Sequence, residues 1–220
     1  MRLLELFSGT HSVGRVAKAM GYSVTSLDWD GNASITTDIL KWDYKSVYPK
    51  GYFDVIWASP ECATFSNLRR SNIGRKLKMF GDQPVTAKLL DTDMMNYGIP
   101  LLRKTEEIIA YFEPDRWFIE NPQSSRMKDF IDSAPVTFDY CMYGFPYRKS
   151  TNIWSNVPLS PTRCDRSHLV EGKHSQAVGQ KGGGVNGTKQ TYRIPEPLIY
   201  QLLTTEKDKV CRKVHFPAEV

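Results

Sequence analysis

Cys62 and Glu120 each follow a short apolar run, and this placement makes them the strongest candidates for chemistry. Cys62 comes after the run at 54–58 and a Ser-Pro-Glu turn, with basic residues downstream that favour a thiolate. Glu120 comes after the bulky residues 117–119, where a partly buried carboxyl can keep a proton near neutral pH. The structural alternatives are a small buried thiol and a carboxylate that caps a helix. A nucleophile beside an acid indicates covalent catalysis.

This pair suits methyl transfer to carbon 5 of cytosine. That carbon is a poor nucleophile, but addition of a thiolate at C6 gives an enamine whose C5 is nucleophilic, and protonation of N3 makes the addition feasible. Cys62 would supply the covalent bond and Glu120 the proton, and loss of the C5 proton would release the enzyme by β-elimination. The base has to leave its duplex, because neither face of a stacked cytosine admits a side chain.

Strands and helices alternate along the chain and must position these residues. Apolar runs predict strands at 2–7, 23–27, 54–58 and 117–119. Apolar residues at helical spacing predict helices at 13–20, 93–112 and 195–203. This alternation predicts an α/β fold with a parallel sheet covered on both faces, whose ligands gather at the carboxyl ends of the strands. From 156 to 191, glycines and prolines break the periodicity and predict a loop-rich insertion.

The turn between the first strand and helix is a candidate nucleoside site. A simple tight turn is the alternative interpretation, but Asp28 and Asp30 close the next strand about 20 residues later, where a carboxylate accepts ribose hydroxyls. The turn has no P-loop lysine, so a nucleoside with a carboxylate tail fits better than a triphosphate. The residues of the turn are Phe7, Ser8, Gly9 and Thr10.

The composition is that of an ordinary globular protein and is compatible with a phosphate-bearing partner. The 220 residues carry a formal net charge of +5, and basic residues cluster after Cys62 and again between 163 and 189. Glu5 and Gly9 interrupt the apolar N-terminal run before it reaches the length of a signal or membrane segment, so we expect a cytoplasmic protein without membrane contact. The four cysteines form no CxxC pair, which argues against a disulfide framework.

These motifs, in this order, resemble the cytosine-C5 DNA methyltransferase family, in particular its compact phage and viral members. Residues 60–66 match the family's Pro-Pro-Cys-Gln-x-Phe-Ser in spacing, which places Cys62 on the catalytic cysteine and Ser66 on the closing serine. Residues 120–122 resemble Glu-Asn-Val, with Glu120 against the flipped base. Residues 143–149 are similar to Tyr-Gly-x-Pro-Gln-x-Arg, which makes Arg148 the expected basic contact in the active site and Lys149 the alternative.

The resemblance implies a Rossmann-like S-adenosylmethionine-dependent methyltransferase fold, with a mixed, mostly parallel sheet and a small target-recognition insertion. It implies a catalytic and cofactor-binding domain at 1–156, a target-recognition region at 157–191 and a returning C-terminal segment at 192–220. The implied cofactor is S-adenosylmethionine, and the implied partner is double-stranded DNA bound by a monomer. The implied cofactor residues are Phe7, Ser8, Gly9, Thr10, Asp28, Trp29, Asp38, Ile39 and Pro60. The expected nucleic-acid contacts are Ser66, Arg69, Arg70, Arg75, Lys76 and Lys149.

Three alternatives remain open at the level of sequence. An RNA cytosine-C5 methyltransferase of the tRNA-modifying kind shares the catalytic motifs. The departures from the family pattern at Glu61, Ala63 and His11-Ser12 leave room for a catalytically silent homologue that binds nucleic acid. Cys164, His168 and His174, with Cys141 as the available fourth ligand, form a loose metal-binding set that we interpret as surface residues, so we expect no metal.

Overall fold

A single seven-stranded sheet forms the centre of the computed structural model, which describes residues 1–169, 172–176 and 191–204. The strand order is β3-β2-β1-β4-β5-β7-β6. The strands are β1 Arg2–Leu6, β2 Ser23–Asp28, β3 Ile35–Thr36, β4 Val55–Ala58, β5 Arg116–Pro122, β6 Val136–Asp139 and β7 Ser150–Ser155.

All pairs from β3 to β5 are parallel, whereas β7 runs antiparallel to both β5 and β6. The carboxyl ends of β1, β2, β4 and β5 therefore lie at one edge of the sheet, where ligands of open α/β sheets bind. The predicted mixed, mostly parallel sheet is confirmed.

The helices cover both faces of the sheet. The α-helices are α1 Ser12–Ala19, α2 Tyr44–Val47, α3 Ala87–Asp93, α4 Ile99–Phe112 and α5 Glu196–Leu203. A π-helical turn, Met94–Gly98, joins α3 to α4. Short 3-10 helices occupy Ile39–Lys41, Asn67–Asn72, Lys78–Phe80, Arg126–Asp129 and Tyr140–Tyr143. Among the described residues, no helix has the length and apolar character that would let it span a bilayer.

Two apolar cores, one on each face, hold the layers together. Trp57, Phe118 and Leu198 belong to the core that α1 and α5 cover, and Phe112 belongs to the core under α4. The last described segment is tied to the first half of the chain, because Tyr22 Oη donates to the carbonyl of Leu203 at 2.9 Å. Residues 192–204 return to the sheet, where α5 packs in the same core as α1, and residues 205–220 lie outside the described part.

The strands β6 and β7 were absent from the sequence predictions. β7 has the sequence Ser-Thr-Asn-Ile-Trp-Ser, which lacks an apolar run because two of its four buried positions, Thr151 and Asn152, carry polar side chains. β5 is also longer than the predicted 117–119, so Glu120 lies within the strand and opposite Ile153 of β7, rather than after the strand end. Residues 157–169 and 172–176 contain neither helix nor strand, as the loop-rich prediction stated.

Glu5 is a buried acid in β1 that joins the sheet to α1. Its carboxyl is 3% exposed and accepts the Val13 amide at 3.2 Å, and a Cβ at Gly14 would lie 2.5 Å from Oε2. Glu5 thus occupies the N-terminal end of α1, where a negative charge is favourable. Burial nevertheless dominates and raises the pKa of Glu5 to about 7, while the amides of Gly14 and Val13 oppose the rise.

This raised pKa predicts a pH-dependent stability. The folded state retains the Glu5 proton between about pH 4.5 and 7 while the unfolded chain has lost it, so this group's contribution to the free energy of unfolding falls as pH rises through that window. Glu5→Gln should abolish this pH-dependent loss, which amounts to about 3 kcal/mol of the free energy of unfolding. Urea unfolding across this window measures the slope, and Glu113→Gln at an exposed site is the control. An unchanged slope in Glu5→Gln would contradict this account.

Candidate active site

The loop that carries Cys62 leaves β4 at the carboxyl edge of the sheet. The Ser59 amide donates to the carbonyl of Leu6 at 3.3 Å, and Trp57 Nε1 donates to Ser59 Oγ at 3.1 Å. These bonds hold the start of the loop between β1 and β4. Cys62 is a free cysteine and remains partly exposed at the rim. The loop is thus anchored at its start, and Cys62 lies at the carboxyl edge of the sheet.

Asn121 joins the Cys62 loop to β5. Its side-chain amide donates to the carbonyl of Pro60 at 2.9 Å, and the residue is 1% exposed. Asn121 directly follows Glu120, so this bond brings the glutamate and the cysteine loop to the same edge. Burial raises the pKa of the Cys62 thiol, the charge of Glu120 raises it further, and the charge of Lys149 lowers it. The charges of Glu120 and Lys149 therefore both act on the Cys62 thiol.

Glu120 is 6% exposed and is held by two hydroxyl groups. Tyr140 Oη donates to Glu120 Oε1 at 3.1 Å, and Thr151 Oγ1 bonds the same oxygen. Thr151 Oγ1 is also 3.1 Å from the carbonyl oxygen of Asn121. Both hydroxyls meet one carboxyl oxygen, which fixes the orientation of the carboxyl group within the sheet.

The two candidate basic residues after Tyr147 differ in their surroundings. Arg148 Nε is 3.3 Å from Asp139 Oδ1 and so pairs with a buried carboxylate beside β6. Lys149 Nζ lies 4.9 Å from the centroid of the Tyr140 ring and donates to the carbonyl of Thr191 at 2.8 Å. Because Tyr140 contacts Glu120, the structure brings Lys149 rather than Arg148 to the Glu120 side of the site.

The predicted cofactor turn is closed by Asp28. One oxygen of Asp28 accepts the amide of Gly9 at 2.8 Å, and the other accepts the amide of Asp30 at 3.1 Å. Phe7 and His11 adopt φ angles of 58° and 54°, a region unfavourable for side chains that bear a Cβ. The structure thus brings the ends of β1 and β2 together as expected.

Several groups in this turn fit a nucleoside ligand. The buried hydroxyl of Ser8 has no hydrogen-bond partner among the described residues, so it is available to a ligand. Trp29, directly after β2, is 84% exposed, which leaves an aromatic face open for stacking. Thr10 Oγ1 bonds Ser12 Oγ at 2.8 Å. Asp38 accepts the amide of Leu40, while Ile39 and Pro60 are buried near these strand ends.

The predicted nucleic-acid residues after Cys62 fall into two groups. Arg69 is mostly buried, 2.5 Å from Asp93 Oδ2, and stacks on Phe80, so its charge is used within the protein. Arg70 pairs with exposed Asp91 at 3.2 Å. The exposed members are Arg75 and Lys76, and Ser66 caps the 3-10 helix that follows. Lys181 and Lys189 lie outside the described residues.

Sequence reasoning missed the residues that support the predicted catalytic pair, Cys62 and Glu120. Tyr140 and Thr151 hold Glu120, Glu5 supports the cofactor turn, and Tyr192 lies close enough to Cys62 for the thiolate charge to raise the tyrosine pKa further, after burial. Asn121 belongs to the motif at residues 120–122, but the sequence alone indicates no role for it. Among these residues, only Glu5 could have been found from the sequence, since a charged residue within an apolar run needs a buried partner.

The strand order, the reversed β7 and the site at the carboxyl edge define a Rossmann-like methyltransferase. No model of a known protein family matches the chain. The chain is 37% identical over 219 residues to the "Probable DNA (cytosine-5)-methyltransferase" of Frog virus 3 (isolate Goorha), a match that covers 92% of this chain and 99% of that protein. The chain therefore belongs to the DNA (cytosine-5)-methyltransferase family.

Two solved structures are similar to this chain over part of their length. A methyltransferase of Entamoeba histolytica matches with a TM-score of 0.49 and 12% identity, over 72% of this chain and 53% of that one. The Dnmt2 methyltransferase of S. pombe matches with a TM-score of 0.40 and 14% identity, over 70% of this chain and 48% of that one. The chain spans about half the length of these structures.

Gly98 in the π-helical turn allows the Cys62 loop to pack closely. A Cβ at this position would lie 2.8 Å from the ring of Phe65 and would overlap Thr64 Oγ1. Thr64 and Phe65 lie two and three positions after Cys62, so the turn fixes the path of the loop. A solvent-open cleft of about 520 Å³, lined by Glu61, Ala63, Thr64 and Tyr97 among others, lies beside this contact.

We therefore expect Gly98→Ala to lower stability by about 1–3 kcal/mol, because overpacking forces the loop or the turn to move. Gly31→Ala is a matched control, since a Cβ there meets nothing within 4 Å. Thermal and urea unfolding of both variants provide the measurement. Equal stability of the two variants would show that the contact between Gly98 and the loop is unimportant.

Proposed function

We propose that the chain transfers the methyl group of S-adenosylmethionine to C5 of a cytosine flipped out of duplex DNA, through a covalent bond between Cys62 Sγ and C6. The observation that carries this proposal is the hydrogen bond from Asn121 to Pro60, which ties the Cys62 loop to the strand that holds buried Glu120. A nucleophile and an acid fixed at one edge can act on opposite sides of one small ring.

Glu120 is the acid in this proposal. Tyr140 and Thr151 each donate to Oε1, so both hydroxyl groups hold the same oxygen of the carboxyl group. Oε2 is then the oxygen that would pass a proton to N3 of the base.

Proton and charge movements are coupled between Glu120 and Cys62. The charge of Glu120 raises the pKa of Cys62, so transfer of the Glu120 proton to N3 must follow or accompany the attack of sulfur on C6. The thiol proton leaves to water as the thiolate forms, and Lys149 favours that thiolate. After methylation, the C5 proton passes to water, the C6–S bond breaks with its electrons returning to sulfur, and N3 returns its proton to Glu120.

The cofactor binds at the ends of β1 and β2 in this proposal. S-adenosylmethionine, when bound, supplies an electrophilic methyl group for C5. Ser8 offers a hydroxyl that accepts or donates no hydrogen bond in the described part of the chain, and Trp29 offers an exposed face to the adenine. Asp28 holds the turn through Gly9 and would meet the ribose from its position at the end of β2.

The proposed substrate is DNA, with exposed Arg75 and Lys76 at the phosphates. The net charge of +5 supports a polyanionic partner, and the Frog virus 3 relative is named a probable DNA methyltransferase. A methyl-transfer assay with tritiated cofactor on duplex DNA, single-stranded DNA and tRNA tests this choice. We expect the highest incorporation into duplex DNA, and incorporation only into tRNA would refute the DNA assignment.

Substitutions at the catalytic pair should separate binding from chemistry. Cys62→Ser should abolish methyl transfer and leave cofactor affinity unchanged, because the hydroxyl is a poor nucleophile at its free pKa. Glu120→Gln should lower kcat roughly 10²- to 10⁴-fold through loss of proton transfer. Glu106→Gln, on the surface of α4, is the control for the charge change and should retain full activity. Retained turnover in Cys62→Ser would rule out the proposed nucleophile.

Trp29→Ala should weaken cofactor binding. Loss of one base stack costs about 1–3 kcal/mol, which corresponds to a roughly five- to hundredfold rise in Kd. Isothermal titration with S-adenosylhomocysteine measures this change, and exposed Val47, in α2, provides the control variant Val47→Ala. An unchanged Kd in Trp29→Ala would place the adenine elsewhere.

A further inference from the structure

Four side chains with metal-binding atoms converge beside the Tyr140–Tyr143 turn. Cys141 lies in that turn, whereas Cys164, His168 and His174 come from the loop after β7. One ligand atom from each residue lies within 4.8 Å of all the others. Cys164 Sγ is 3.6 Å from His174 Nε2, and the rings of His168 and His174 are 5.3 Å apart between centroids.

We propose that these four side chains bind one Zn²⁺ ion in a closed tetrahedral site. Usual Zn–S and Zn–N bond lengths place neighbouring ligand atoms about 3.3–3.8 Å apart. The distance between Cys164 and His174 already matches, and the widest separation has to shorten by about 1 Å. Two thiolates with two imidazoles suit zinc, whereas magnesium and calcium prefer oxygen. Four protein ligands leave no position for a substrate, so the ion is structural.

The loop is held on both sides of the cluster by bonds that do not involve the ligand atoms. The Cys164 amide donates to Asp139 Oδ2 at 2.9 Å, and Arg163 pairs with the same buried carboxylate at 2.8 Å. Beyond His174, the Gln176 amide donates to the carbonyl of Pro146 at 3.0 Å. These contacts bring the thiol and the imidazole close together before any ion binds.

A metal ion would give this loop the stability that its sequence does not provide. Residues 157–169 and 172–176 form no helix or strand and contribute few residues to either core. Small segments without a sufficient core are often stabilised by a structural metal. Cys141 directly follows Tyr140, which donates to Glu120, so zinc would also fasten the predicted target-recognition region to the support of the proposed acid.

This proposal differs from the sequence expectation of no metal. Five residues separate His168 from His174, which is a usual spacing for paired histidine ligands. The two cysteines, however, are far apart in the chain and lack the short spacing of a zinc finger. The fold brings Cys141 to Cys164 because the end of β6 carries Asp139, to which the Cys164 amide is bonded.

The direct test is the zinc content of the full chain, purified without chelator and after removal of any histidine tag. Plasma mass spectrometry should find one zinc ion per chain in the wild type. Cys164→Ser and His168→Ala should lose most of it, whereas Cys62→Ser and His11→Asn should retain it. His168 is exposed, so its substitution should leave the fold intact. Chelation should lower the Tm of the wild type, since zinc stabilises only the folded state.

A second measurement covers variants that do not fold. The chelated wild-type chain, titrated with Co²⁺, should develop the intense visible bands of a tetrahedral site with thiolate-to-metal absorption. Zinc content near zero together with weak six-coordinate cobalt bands would overturn the proposal. A Cys141–Cys164 disulfide in the freshly purified chain, detected by mass spectrometry without reductant, would overturn it too.

Discussion

The hydrogen bond from the Asn121 amide to the Pro60 carbonyl is the constraint on which the proposed chemistry depends. It lies between the end of β4 and the end of β5, in a setting where Asn121 is almost fully buried. Its donor belongs to the residue after Glu120, and its acceptor lies two residues before Cys62. The parallel pairing of β4 and β5 sets the approximate distance, and this bond sets the path of the loop.

Burial has the largest effect on Cys62, the proposed nucleophile. Removal from water disfavours the thiolate of Cys62, and the nearby Glu120 charge disfavours it again. Lys149 acts in the opposite direction from its position over the Tyr140 ring. In the proposed mechanism the sulfur therefore attacks before, or as, Glu120 gains its charge. The supporting hydroxyls of Tyr140 and Thr151 come from the turn after β6 and from β7, so the reversed part of the sheet contributes to the site.

The sequence predicted the parallel half of the sheet because its strands are apolar runs that end in polar residues. The predictions of Asp28 beside the Gly9 turn and of Cys62 near Glu120 follow from the same rule, since carboxyl ends of neighbouring strands meet. β7 could not be found in this way, because Thr151 and Asn152 are polar residues buried by partners on other strands. The choice between Arg148 and Lys149 likewise depended on Asp139, whose burial no local pattern indicates.

The most direct test of the central claim uses duplex DNA that carries 5-fluorocytosine. Fluorine replaces the C5 proton that β-elimination requires, so elimination stops and the Cys62–C6 bond persists. Incubation with S-adenosylmethionine, followed by denaturing electrophoresis and mass spectrometry of the proteolysed adduct, locates the bond. We expect a covalent complex between Cys62 and the 5-fluorocytosine DNA, which the Cys62→Ser variant does not form. A wild-type enzyme that methylates cytosine in the same duplex yet forms no adduct, or an adduct at another residue, would contradict it.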